Sequence, residues 1–150
     1  MTLPPELLRP FRPRAARWVA SVLFVLTVLA LPTLLVVMAV NELSMSAGDA
    51  VGFTLTAVLL AWLCFRQAAV RAVPDQTGLT VRNFVKVRRL AWEEIVAVRF
   101  GENHPWAQLD VSDGTSLAVM AVQTADGAHG RREAGRLAAL VQLHESDEPG

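Results

Sequence analysis

Twenty-three consecutive residues, Trp18 to Val40, carry no formal charge. Nothing else in the chain narrows its folding options as far. As a helix rising 1.5 Å per residue, the run extends roughly 34 Å, enough to cross a hydrocarbon core of about 30 Å with some tilt. Pro32 lies inside it, where a membrane helix tolerates proline, and is expected to kink the outer half. Trp18 at one end suits an interfacial anchor. A second apolar run, Ala50 to Phe65, is bounded by Asp49 and Arg66. It is short for a crossing, but residues 67–70 extend it and the Arg66 stem can reach toward the headgroups. We read two spans, at about 18–40 and 50–68, within a hairpin covering 17–71. A buried core helix or a re-entrant segment is the competing reading of the second run. A cleaved signal peptide competes for the first, but such peptides have apolar segments of about 7–15 residues. Here the run is longer, and another follows it.

The flanks give the hairpin a polarity. Arg9, Arg12, Arg14 and Arg17 precede the first span, and Arg66 and Arg71 follow the second. The connector, Asn41 to Asp49, has no Lys or Arg. Positive flanks stay in the cytoplasm, so both termini are expected there and the connector outside. Residues 1–16, with Pro4, Pro5, Pro10 and Pro13, read as an irregular cytoplasmic tail. A composition of 53% hydrophobic residues excludes a disordered chain. A formal net charge of zero supplies no field to steer nucleic acid, so no such partner is expected. The single cysteine, Cys64, permits neither an internal disulfide nor a thiolate metal cluster. Within an apolar run it reads as a small buried hydrophobe.

From about Val70 the texture changes, and turn residues recur. Asp75-Gln76-Thr77-Gly78 signals a turn, and Leu79 to Arg82 alternate as a strand. Asn83 and Phe84 suit a tight reversal, after which Val85 to Leu90 alternate again, with Lys86 and Arg88 on one face. Glu94 to Phe100 form a third candidate, with Val96, Val98 and Phe100 on one side. Trp106 to Ser112 and Thr115 to Gln123 flank Asp113-Gly114, a two-residue hairpin signal. Five candidates so spaced predict an antiparallel meander bent into a small barrel or sandwich. Ala134, Leu137, Ala138 and Val141 then mark the apolar stripe of a helix that closes it. Glu145 to Gly150 read as a frayed acidic tail.

The run Gly78-Leu79-Thr80-Val81-Arg82-Asn83, then Val87-Arg88-Arg89-Leu90-Ala91-Trp92-Glu93-Glu94-Ile95, then Asp113-Gly114, resembles the bacterial pleckstrin-homology-like (PH-like) family of small membrane proteins. Some members were first described as low-molecular-weight protein antigens. The resemblance covers residues 70–143. It implies a bacterial inner-membrane protein with two transmembrane helices followed by an α+β PH-like domain at 72–144. That domain would be a two-sheet, antiparallel small barrel of about seven strands, capped by the C-terminal helix. It implies no established activity.

Enzyme signatures are scarce. There is no glycine-rich phosphate loop, no H-E-x-x-H and no paired cysteines. His104, His129 and His144 are far apart and read as surface or turn residues rather than metal ligands. Glu93 and Glu94, if on a strand, point to opposite faces and form no carboxylate pair. Trp92 and Trp106 read as core or rim packing. No enzyme, cofactor or metal is expected. Residues 79–91 carry Arg82, Lys86, Arg88 and Arg89 with no acid, and Arg82, Lys86 and Arg88 could share one face. Close to an anionic leaflet, these four are the candidate lipid- or partner-binding residues. Lys86-Val87-Arg88 is similar to the K-x-R element of some phosphoinositide-binding eukaryotic PH domains, but the longer element and the C-terminal-helix tryptophan are absent. A solvated strand pair is the plainer reading of the same charges. The expected function is a membrane-anchored interaction or scaffold module that binds a membrane or cytoplasmic protein, or anionic lipid. The alternative is a self-associating membrane component whose domain joins copies into a homo-oligomer.

Overall fold

The computed structural model describes residues 4–42, 44–101 and 103–146. They form two compact units: residues 16–68, and the residues up to Ala15 together with those from Ala69 onward.

The first unit holds two helices, α1 (Arg14–Val40) and α2 (Ala47–Ala68). Both are long and apolar enough to cross a membrane. α1 runs through Pro32 as one helix. α2 begins three residues before the expected apolar boundary, because Ser46 and Asp49 cap it. The Ser46 hydroxyl accepts from the Asp49 amide at 3.1 Å, and the Asp49 carboxylate accepts from the Ser46 amide at 3.2 Å. This reciprocal pair satisfies amides that the first turn leaves unbonded. Ala20 is the one buried residue of α1, and α2 has none. Cys64, expected to be buried, is a half-buried free thiol.

The second unit contains six strands among the described residues, not seven. They are β1 (Arg71–Pro74), β2 (Gly78–Arg82), β3 (Val87–Ala91), β4 (Ile95–Arg99), β5 (Trp106–Val111) and β6 (Ser116–Gln123). They form two separate antiparallel sheets, β1-β2-β3 and β4-β5-β6, followed by helix α3 (Ala128–Ser146). The expected barrel does not close. A 3-10 turn at Trp92–Glu94 carries the chain from one sheet to the other, so β3 and β4 do not pair. Beside β6, a side chain takes the place of a strand: the Asn83 amide donates to Ala118 O at 2.6 Å and accepts from Met120 N at 3.1 Å. That bond pair satisfies edge groups that a barrel would satisfy by pairing.

Several local expectations shift by a residue or two. β1 carries no signal in the sequence, since four residues ending in proline are too short for a pattern. The reversal after β2 takes four residues, with Asn83 N donating to Lys86 O at 2.9 Å, so Val85 and Lys86 lie in the turn. Glu93 and Glu94 lie in the 3-10 turn, where the Glu94 carboxylate accepts from Ala91 N at 2.7 Å. A bulge between Ile95 and Ala97 breaks the alternation of β4. It leaves Val96 exposed while Ile95 is buried and Val98 packs against the core. In the β5–β6 hairpin only Gly114 has positive φ (81°), and Gly114 N donates to Val111 O, so the turn spans Val111–Gly114 rather than two residues. Glu145 and Ser146 belong to α3, and the rest of the expected acidic tail lies outside the described residues.

The core lies between the sheets and α3. Leu79, Val81 and Leu90 of one sheet, Leu109 and Val119 of the other, and Leu137, Leu140 and Val141 of α3 are buried in one cluster, to which the stripe contributes as predicted. Gly78 is required by close approach, because a Cβ there would sit 2.2 Å from Leu90 O on the neighbouring strand.

Candidate functional site

The four basic residues singled out in the sequence do not form one site. Cross-strand register pairs Val81 with Arg88, Thr80 with Arg89, and Arg82 with Val87. Directly opposed residues share a face, so Arg88 lies on the core side of the sheet, and Arg82 and Arg89 on the outer side. The expected common face of Arg82, Lys86 and Arg88 is therefore absent. Arg88 reaches across to the β5–β6 turn and pairs with Asp113 at 3.1 Å. Hydrogen bonds from the Thr115 hydroxyl and amide, and then from Arg88, hold the Asp113 carboxyl below its ordinary pKa, against a small opposing effect of burial. Arg89 pairs with Asp75 at 2.9 Å and donates to the Thr77 hydroxyl at 2.8 Å. Burial acts to raise the Asp75 pKa, but the Thr77 hydrogen bonds and the Arg89 charge outweigh it and lower the value. Both arginines thus tie the β2–β3 hairpin to turns of their own domain. Arg82 and the exposed Lys86 take part in none of the ion pairs found among the described residues.

The N-terminal segment, expected to be an irregular tail, is packed into the domain. Phe11 is fully buried, and Pro13 is buried beside it. Phe11 N donates to Ala72 O at 2.8 Å and Ala72 N donates to Phe11 O at 3.1 Å, adding an antiparallel bridge to the free edge of β1. From α3, the Arg136 guanidinium donates to Leu7 O at 2.9 Å and Arg9 O at 2.8 Å, and lies 3.8 Å over the Phe11 ring. Glu133, one turn back, pairs with Arg136 at 2.7 Å and fixes its orientation. At the far end of the segment, the Asp126 carboxylate accepts from the amides of Arg14 and Ala15 at 3.0 and 2.7 Å. These are the first amides of α1, which have no intrahelical partner, and a carboxylate is the favoured cap there. Gly130 lets the chain fold tightly beside this cap, since a Cβ would sit 2.0 Å from Gln123 O.

His144, expected at the surface, stacks on Trp92 with centroids 4.7 Å apart. Trp92 is buried and its indole N–H donates to Asp75 O at 3.0 Å, consistent with packing rather than ligand stacking. Sequence pattern alone does not mark Phe11, Arg136 or Asp126 as residues that hold the N-terminal segment. Phe11 between Pro10 and Pro13 was the one legible signal, an aromatic residue in a segment held extended by proline.

Two antiparallel sheets followed by a C-terminal helix, with Trp92 leading from one sheet to the other, keep the two-sheet plan the resemblance implies, with six strands among the described residues in place of seven and no closed barrel. Residues 68–139 match the bacterial PH domain family. This segment is a PH-like domain. The chain is 32% identical over 78 residues to an uncharacterised protein of Mycobacterium tuberculosis, covering 52% of this chain and 51% of that protein. It is 37% identical over 60 residues to low molecular weight protein antigen 6 of the same species, covering 40% of this chain and 53% of the antigen. A Mycobacterium bovis protein of the same antigen name matches equally. The chain spans about half the length of the curated relatives it matches. No solved structure is significantly similar to it. The matched segment takes in both sheets and the first twelve residues of α3, whereas the arm that completes the β1 edge lies before it.

Proposed function

We propose that the chain is a non-enzymatic, membrane-anchored interaction protein. Its two helices cross the bacterial inner membrane as a hairpin, and its bacterial PH domain binds a protein partner or anionic lipid at the cytoplasmic face. One observation carries this reading. Residues 4–15 and the domain that begins at 69 lie on either side of two apolar helices in sequence, yet they fold as one unit. A unit joined by backbone hydrogen bonds and a shared core has all its parts on one side of a bilayer, so the intervening chain crosses an even number of times. The helices' own exposure supports the crossing. A core helix of a soluble protein buries an apolar stripe, whereas Leu23, Leu26, Leu29, Leu55 and Leu59 are all more than half exposed. The arginine-rich flanks and the connector without Lys or Arg then favour a cytoplasmic domain. Tethering raises the effective concentration of the domain at the membrane, where weak contacts suffice.

Reporter fusions test the topology. A fusion after residue 146 is expected to report the cytoplasm, and one within the connector the periplasm. A periplasmic C-terminus would overturn the reading. Crosslinking in membranes followed by capture from detergent extract separates the two modes of interaction. A second polypeptide in the crosslinked product supports a partner-binding module, and ladders of this chain alone support self-association.

A further inference from the structure

We propose that Arg12, Arg71 and Arg82 form a binding site for the phosphate groups of anionic phospholipids, on the outer face of the β1-β2-β3 sheet. This deepens the membrane-anchored reading and rests on it. The register sets the cluster. Arg71 is the direct cross-strand partner of Arg82. The antiparallel bridge Phe11–Ala72 brings Arg12 opposite Arg71, one residue along. Three arginines from three separate chain segments therefore lie side by side across adjacent strands. Their neighbours Phe11, Ala72 and Val81 face the core and are buried, so the arginines face outward. Like charges in direct cross-strand register repel, and a sheet normally avoids them or interleaves an acid. Here no acid is interleaved. The ion pairs among the described residues are Arg88–Asp113, Arg89–Asp75, Arg99–Asp110 and Arg136–Glu133, and none includes the three arginines of this row. Asp126, which reaches the arm from the segment before α3, is engaged by the amides of Arg14 and Ala15. An uncompensated row of guanidinium groups, each a planar fork of donors, matches phosphate oxygens.

Two observations select a lipid rather than a free anion. Arg12 stands two residues before α1, and Arg71 three residues after α2. Three extended residues reach at most about 11 Å, so chain connectivity alone holds the row close to both helix ends. The row also continues into an apolar residue, because Val87 lies opposite Arg82 and is 63% exposed. Cations beside an exposed aliphatic side chain suit the boundary between headgroups and acyl chains, where each meets its own chemistry.

The test uses the full chain in nanodiscs of phosphatidylcholine with a minority of phosphatidylglycerol. Native mass spectrometry reads which lipids stay bound on release. Retention of phosphatidylglycerol several-fold above its share of the disc is expected for the natural chain. The triple variant R12Q/R71Q/R82Q is expected to return to the disc composition, while R131Q/R132Q, which alters two other exposed arginines, keeps the preference. Thermal unfolding in pure phosphatidylcholine supplies a second readout. There the triple variant should melt at the same temperature as the natural chain or a few degrees higher, because it removes repulsion. Undiminished retention by the triple variant overturns the site. So does stabilisation by inorganic phosphate in neutral discs equal to that by phosphatidylglycerol. A chain extracted from membranes by alkaline carbonate fails the anchoring reading itself. An inserted chain without lipid preference fails this proposal alone.

Discussion

The β2–β3 hairpin and the N-terminal arm are both short, both rich in arginine, and both lie at an edge of the same sheet. They are held in opposite ways. The hairpin keeps its charged side chains at the surface and secures itself through exposed ion pairs, Arg88–Asp113 and Arg89–Asp75. The arm buries Phe11 and Pro13 and is gripped through its backbone by Ala72, Arg136 and Asp126. Exposed pairs contribute little, whereas a buried aromatic ring and satisfied backbone groups contribute several-fold more. Charge density along a chain is thus a poor guide to which segment the fold depends on.

That contrast can be broken at the arm first. Phe11→Ala removes a fully buried ring and is expected to cost about 3–5 kcal/mol, read by denaturant unfolding of the full chain in detergent. A loss below about 1 kcal/mol would reduce the arm to a loose tail. Arg136→Met keeps the stem but deprives the Leu7 and Arg9 carbonyls of a charged donor, and should cost about 1.5–3 kcal/mol. Asp126→Ala uncaps the first amides of α1 and should cost about 1 kcal/mol, with faster amide exchange at Arg14 and Ala15. The hairpin should respond least. Arg88→Gln breaks a pair whose side chains are 38% and 50% exposed, so a loss under about 1 kcal/mol is expected.

The two turns that this hairpin's arginines reach carry acid sensitivity. The Asp75 and Asp113 carboxyls have folded-state pKa values below their unfolded ones. Their contribution is present above the unfolded carboxylate pKa of about 4 and is lost as pH falls through the lower folded values. Acid titration of the full chain should therefore weaken the domain below about pH 4, and Asp75→Asn should flatten that slope. An unchanged slope would show that these turns stabilise nothing through their charge.

Much of the architecture was legible because it rests on local pattern. The Trp18–Val40 run, the alternation of Leu79–Arg82 and the Ala134–Val141 stripe each signal their element through spacing alone. The misreadings arose where a distant group decides the outcome. Val96 points outward because a bulge resets the alternation. Arg88 and Arg89 looked free because their acids, Asp113 and Asp75, lie 25 and 14 residues away. The arm looked irregular because its partners, Ala72 and Arg136, lie beyond two helices. The Arg71–Arg82 register was hidden with β1, whose four residues have no periodicity to read.

Amide hydrogen exchange on the full chain tests the arm most directly. Phe11 N–H and Ala72 N–H donate to each other's carbonyls, so they should open together and be protected as strongly as the β1–β2 ladder. Exchange of Phe11 at the rate of a free chain, with that ladder still protected, would contradict a single folded unit built from residues on both sides of the two helices in sequence.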